Sequence, residues 1–197
     1  MELIKNALKQ NIFSDNPLIH AKCCKAYSYI FSTLTTDWQD GIDCIVNSFT
    51  NVDFSSRRIF SFFSIMKEIV NQINFVSEII DPFRQQFDQA FNFAIDMLSE
   101  DPINTKISIE YRVIACDFVT DLIKVFSDII NQDQVLNALK RLRNSFQILD
   151  IKMYESLEKL ILIIIQKFYP LSPSFIGIIE DYFEIKFDLL SIQPNLT

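Results

Sequence analysis

The sequence predicts an all-α fold of antiparallel helix pairs, either stacked as an open α-solenoid or closed as a compact helical bundle. Three observations carry that expectation. The chain has 19 Phe but only two Gly in 197 residues, far below the ~7% glycine of average usage, so sheets and glycine-dependent turns are not expected. Its apolar residues recur every three to four positions, the period of a helix with one buried face. Short polar residues also stand directly before prolines. Proline at the first helical position has no N–H to lose, and the preceding Asn, Asp or Ser can accept an orphan N–H.

Taken in order, residues to about Ile12 are expected to form a first helix. Asn16-Pro17 opens a second, with Leu18, Cys23, Ala26, Tyr27, Ile30 and Leu34 on its apolar stripe. Thr36 caps a third, on which Trp38, Ile42, Ile45, Val46 and Phe49 recur, and Asp53 caps a fourth. There Ile59, Phe62, Phe63, Met66, Ile69, Val70 and Ile73 lie opposite Ser61, Ser64, Glu68 and Asn71. After a short helical turn over Phe75 to Ile80, Asp81-Pro82 starts a helix carrying Phe83, Phe87, Phe91, Ala94 and Leu98. Asp101-Pro102 marks another start. From about Thr105 a long pattern sets Ile107, Tyr111, Ile114, Phe118, Leu122, Val125, Phe126 and Ile129 against a polar side of Arg112, Asp117, Asp121 and Asp128. Val135, Leu139, Leu142 and Phe146 define the next helix, Ile151 to Phe168 another, and Ser172-Pro173 opens the last, over Phe175 to Leu190.

These are about nine helices joined by links of a few residues, which favours antiparallel neighbours. In pairs they repeat at about 40 to 47 residues, a HEAT-like spacing that gives about four pairs. No composition break divides 1–197, so a single helical-repeat domain is expected, either whole or a segment of a longer array. The Phe clusters at Phe60, Phe62 and Phe63 and at Phe91 and Phe93 are wider than one stripe needs. Such helices touch neighbours on more than one side, and Phe62, Phe91 and Phe118 are expected in successive interfaces.

Composition narrows the function class. A net charge of -7 and a pI near 4.7 disfavour non-specific nucleic-acid binding, which needs a clustered basic surface. They suit basic partners. The four cysteines, Cys23, Cys24, Cys44 and Cys116, show no CxxC spacing and stand beside one histidine, His20. They read as small apolar residues of a reducing compartment rather than a metal set. The first residues, Met1-Glu2-Leu3-Ile4-Lys5, carry no signal-peptide core. The longest apolar run, Leu160 to Ile165, is far below the ~20 residues that span a bilayer. A cytoplasmic or nuclear protein is expected.

No catalytic, cofactor or metal site is expected from the motifs. GxGxxG, GxxxxGK[ST] and GxSxG are absent, so no standard phosphate-cradling loop or nucleophile elbow can form. His20 has no HExxH or ExxH context and reads as structural or solvent-facing. Asp37, Asp40, Gly41 and Asp43 imitate a calcium loop, but with Gly41 sixth, Thr36 and Trp38 fall at the first and third ligand positions, and Trp cannot ligate calcium. Asp40, Asp43 and Asn47 instead form a polar face, solvated or available to a basic partner. Lys140, Arg141 and Arg143 form the densest basic cluster, with Arg57 and Arg58 a smaller one. Asn195-Leu196-Thr197 matches a glycosylation sequon that the expected compartment would leave unused.

One stretch has a family likeness. The helix Ala21-Lys22-Cys23-Cys24-Lys25-Ala26-Tyr27-Ser28-Tyr29-Ile30, then Asp37-Trp38 opening a helix with Ile42 and Ile45, then Ile59 to Ile69, form an ordered pattern. From about Pro17 to Phe146 it resembles the importin-β (karyopherin) superfamily, particularly the transportin-SR-like importins and the exportins. The resemblance implies a HEAT-type, armadillo-like α-solenoid whose acidic concave surface binds cargo or a Ran-type GTPase in nuclear transport, with nucleoporins as further partners. Members are several times longer than this chain, and no residue-specific binding motif carries over. The expectation is therefore a non-enzymatic protein-binding scaffold. Its alternative is a helical adaptor of a vesicle-trafficking or other multiprotein complex, and a helical-bundle enzyme using Asp or Glu is a third class.

Overall fold

The computed structural model describes residues 2–12, 14–33, 40–49, 57–73, 80–127 and 130–192. Among them are nine α-helices and no strand. The helices are α1 (Glu2–Asn11), α2 (Pro17–Thr33), α3 (Asp40–Phe49), α4 (Arg57–Ile73), α5 (Ile80–Ser99), α6 (Ile109–Phe126), α7 (Gln132–Arg141), α8 (Ile151–Phe168) and α9 (Pro173–Ile192), and a 3-10 helix over Leu142–Gln147 continues α7. None of the described helices is long and apolar enough to cross a membrane. The chain forms two compact units, Met1–Phe93 and Ala94–Thr197, with the division inside α5.

In the first unit α2 packs chiefly on α4, and α1 and α3 add to this pair. His20 meets Ser61, and Ser28 donates to the Ile65 carbonyl at 3.2 Å, so contacts advance along both helices together and α2 and α4 run in the same sense. Tyr27, fully buried, donates from its hydroxyl to the Gly41 carbonyl at 2.9 Å and fastens α3 beside them. Phe62 and Phe63 are buried in α4 and meet Phe93, edge-on and stacked respectively. Each such buried ring contributes about 1.5–3 kcal/mol of transfer free energy.

In the second unit α6 packs on α8, while α9 lies against the 3-10 segment and α7. Ser156 on α8 donates to Asp117 on α6 at 2.9 Å. Phe146 packs edge-on against Tyr182, with centroids 5.1 Å apart, and Phe168 stacks on Phe175. Local caps set the helix starts. Ser108 Oγ accepts from the Tyr111 N–H, Asn131 from Asp133, and Asp150 from Lys152 and Met153.

Most predicted elements are present, with instructive differences. Asn16 Oδ1 accepts from the N–H groups of Leu18 and Ile19, as a cap before Pro17 should. At Asp81-Pro82, however, α5 already begins at Ile80, which puts Pro82 at its third position; the first-turn N–H groups have no intrahelical acceptor, so proline is tolerated there too. Asp101-Pro102 starts no helix: Asp101 Oδ1 accepts from the Ile103 N–H and its carbonyl accepts from Thr105, a local turn that competes with helix, and α6 starts after Ser108. The Val135 to Phe146 pattern divides into α7 and the 3-10 segment. On α2 the buried side is His20, Cys24, Tyr27, Ser28 and Phe31, while Leu18 is 64% exposed. Ser61 and Arg112, expected on polar faces, are buried. The expected caps Thr36 and Asp53, the Trp38 position, the turn over 75–79, and Leu34, Asp128, Ile129 and the 195–197 sequon lie outside the described residues.

Candidate protein-docking surfaces

Several groups that drew attention in the sequence are occupied in holding the fold. His20 is buried; its Nε2 lies 2.6 Å from Ser61 Oγ and 3.4 Å from Cys24 Sγ, and its ring meets Phe60. The i, i+4 spacing of His20 and Cys24 puts both on the side of α2 that faces α4. Burial pushes the Cys24 thiol up to about 12, with smaller like-charge effects from Cys23 and Glu68. Cys116 is raised by its burial too, so neither thiol is a ready nucleophile. Cys23 is half-buried, and the side chain of Cys44 is outside the described residues. No group of three or more His, Cys, Asp or Glu suited to a metal occurs among the described residues.

The charged clusters are also engaged. Asp43 is half-buried and accepts from Gln86 Nε2 at 2.6 Å, while Asn47 is exposed and the Asp40 side chain is outside the described residues. Arg141 pairs with Asp96, and Arg143 Nη2 lies 3.2 Å from Asp181 Oδ2; both pairs are solvent-exposed. Lys140 and Arg58 are exposed, and the Arg57 side chain is outside the described residues.

Arg112 shows what the sequence could not. It is only 1% exposed and reaches to the end of α5, where it donates to the carbonyls of Met97 (3.5 Å), Leu98 (3.4 Å) and Glu100 (3.1 Å) and to Thr105 Oγ1 (2.8 Å). A cation at a helix C-terminus satisfies orphan carbonyls and the helix dipole. Burial lowers its pKa, and the carboxylates of Glu100 and Asp101 oppose that shift.

Among the apolar side chains the fold leaves exposed, those on α9 and α2 fall in line along one helix side. On α9, Phe175 and Tyr182 turn into the core. A second stripe, Ile176, Phe183 and Phe187, is 45%, 38% and 69% exposed. At ~100° per residue these three positions fall within about 40° of one another, and Glu180, Glu184 and Asp188, all exposed, form the adjoining edge. The opposite edge holds Lys186, which reaches Glu158 at 3.6 Å and lies over the Tyr182 ring. On α2, Leu18, Lys22, Lys25 and Tyr29 recur at i, i+4, i+7 and i+11, and all four are exposed. The α9 stripe was legible as a second i, i+7, i+11 set beside the first, but a helix apolar on two sides does not say which side is covered. No family model, curated protein or solved structure matches the chain.

Proposed function

We propose that this chain is a non-enzymatic helical scaffold that binds other proteins, in the manner of a nuclear transport receptor segment whose partners are cargo, a Ran-type GTPase or nucleoporins. The observation that carries this reading is the exposed stripe of Ile176, Phe183 and Phe187 beside Glu180, Glu184 and Asp188. Large apolar side chains held in water in one line gain most from a partner, and the charged edge selects which partners fit. The common sense of α2 and α4, two helices apart in the chain, supports stacked antiparallel pairs, where alternate helices run parallel.

The reading is tested by titrating the chain against an immobilised GTP-loaded Ran-type GTPase and against Phe-Gly nucleoporin segments. Saturable binding that F183S/F187S weakens at least about tenfold is expected. No affinity for either ligand would remove the transport assignment. Small-angle scattering tests the architecture: a radius of gyration well above the ~16 Å of a compact domain of this length fits a solenoid, and a value near it fits a bundle.

A further inference from the structure

We infer that the apolar, acid-edged stripe of α9 docks on the apolar, basic stripe of α2 in a second copy of this chain, giving a head-to-tail contact. This deepens the scaffold reading by naming the partner, and it rests on α9 being a docking face. The two stripes are defined by separate sets of exposed residues. That of α2 runs from Leu18 to Tyr29 and that of α9 from Ile176 to Phe187, eleven residue steps from end to end in each case. At a rise of about 1.5 Å per residue they have the same length, about 16 Å.

Their charges are opposite and in register. Lys22 and Lys25 stand four and seven residues beyond Leu18, while Glu180 and Glu184 stand four and eight beyond Ile176. Laid parallel, Glu180 falls opposite Lys22 and Glu184 opposite Lys25. Laid antiparallel, Glu180 falls opposite Lys25 and Glu184 opposite Lys22. The match within one residue therefore holds in either direction. The exposed side of α2 from Pro17 to Tyr29 carries no carboxylate, and these four charged groups make no ion pair among the described residues. Each stripe ends in an aromatic ring, Tyr29 at 66% and Phe187 at 69% exposed, the residue types that most often anchor interfaces. Because the two surfaces differ, the contact is heterologous: each copy that uses its α9 still offers its α2, and association continues or closes into a ring.

The test uses the full chain and two charge-reversed variants, K22E/K25E and E180K/E184K, in sedimentation velocity at about 0.1 M salt. Circular dichroism checks that both are folded. The wild type is expected to rise with concentration above its 23.0 kDa monomer mass, and each variant alone to associate at least about tenfold more weakly. An equimolar mixture of the variants is expected to recover association, because α9 of either variant on α2 of the other again joins opposite charges. Raising salt to about 1 M, where the Debye length falls from about 10 Å to about 3 Å, weakens the wild-type contact. A wild type that stays monomeric to about 1 mM overturns the inference, as does association lost in E180K/E184K but retained in K22E/K25E, or a mixture that fails to recover. A monomer that still binds the GTPase or Phe-Gly segments through α9 overturns this inference alone and leaves the scaffold reading standing. A monomer that binds neither removes both.

Discussion

Replacing Arg112 by Met keeps most of the side-chain volume and removes the guanidinium that closes the end of α5. The magnitude follows from the bonds. The two shorter ones, to Thr105 Oγ1 at 2.8 Å and the Glu100 carbonyl at 3.1 Å, carry a charged donor and contribute about 1.5–2 kcal/mol each. Those to Met97 and Leu98, at 3.5 and 3.4 Å, contribute little, and the Leu98 carbonyl keeps the Ser145 hydroxyl as a donor. Against about 3–4 kcal/mol lost, removing a buried charge returns part of its desolvation cost, so R112M is expected to destabilise by about 2–3 kcal/mol. R112K should fall between, because an ammonium is a point donor and cannot span Thr105 and Glu100 as the planar fork does. Urea unfolding, read as a shift in midpoint at unchanged slope, measures both. An R112M variant within about 0.5 kcal/mol of wild type, or R112K equal to wild type, would refute the reasoning.

The remaining expectations concern the core, the α2–α4 contact and pH. F62A should cost about 3–5 kcal/mol, because Phe62 is 1% exposed and meets Phe63 and Phe93, whereas F187S at a 69% exposed position should stay within about 0.5 kcal/mol; equal effects in thermal unfolding would contradict the assignment of faces. S61A removes the partner 2.6 Å from His20 Nε2 and should cost about 1–2 kcal/mol by chemical denaturation, with no loss counting against the buried contact. The Cys24 thiol is raised from 9.0 to about 12 in the fold, so the fold favours its protonated form. That contribution is complete below pH 9.0 and is lost as pH rises toward 12, at up to about 1.4 kcal/mol per pH unit. C24A should lessen the alkaline fall in stability over that window, and an unchanged profile would show that Cys24 does not contribute.

Part of the candidate surface could be read before folding. Glu180, Glu184 and Asp188 follow one another along a helix with Phe183 and Phe187 beside them, and Lys22 and Lys25 fall in line with Leu18 and Tyr29. Their availability could not be read. Leu18 fits an apolar stripe as well as Cys24 does, and only the approach of α4 with Ser61 and Ile65 decided that the His20, Cys24 and Ser28 side is covered. Arg112 stands in line with Ala115, Cys116, Val119 and Ile123, all buried, yet its charge assigned it to water; the carbonyls that hold it come from Met97, Leu98 and Glu100, brought there by the turn over 101–108.

By itself the sequence determined that the described chain is helical and where helices such as α2, α8 and α9 begin, because those properties depend on neighbours within about four residues: apolar period, glycine scarcity, and caps such as Asn16. Only the tertiary structure decided which face of each helix is buried and which polar groups go with it. A helix such as α9, with Phe175 and Tyr182 on one side and Phe183 and Phe187 on another, has more apolar surface than one neighbour can cover. The choice between those sides lies in contacts made far along the chain, which local spacing does not encode.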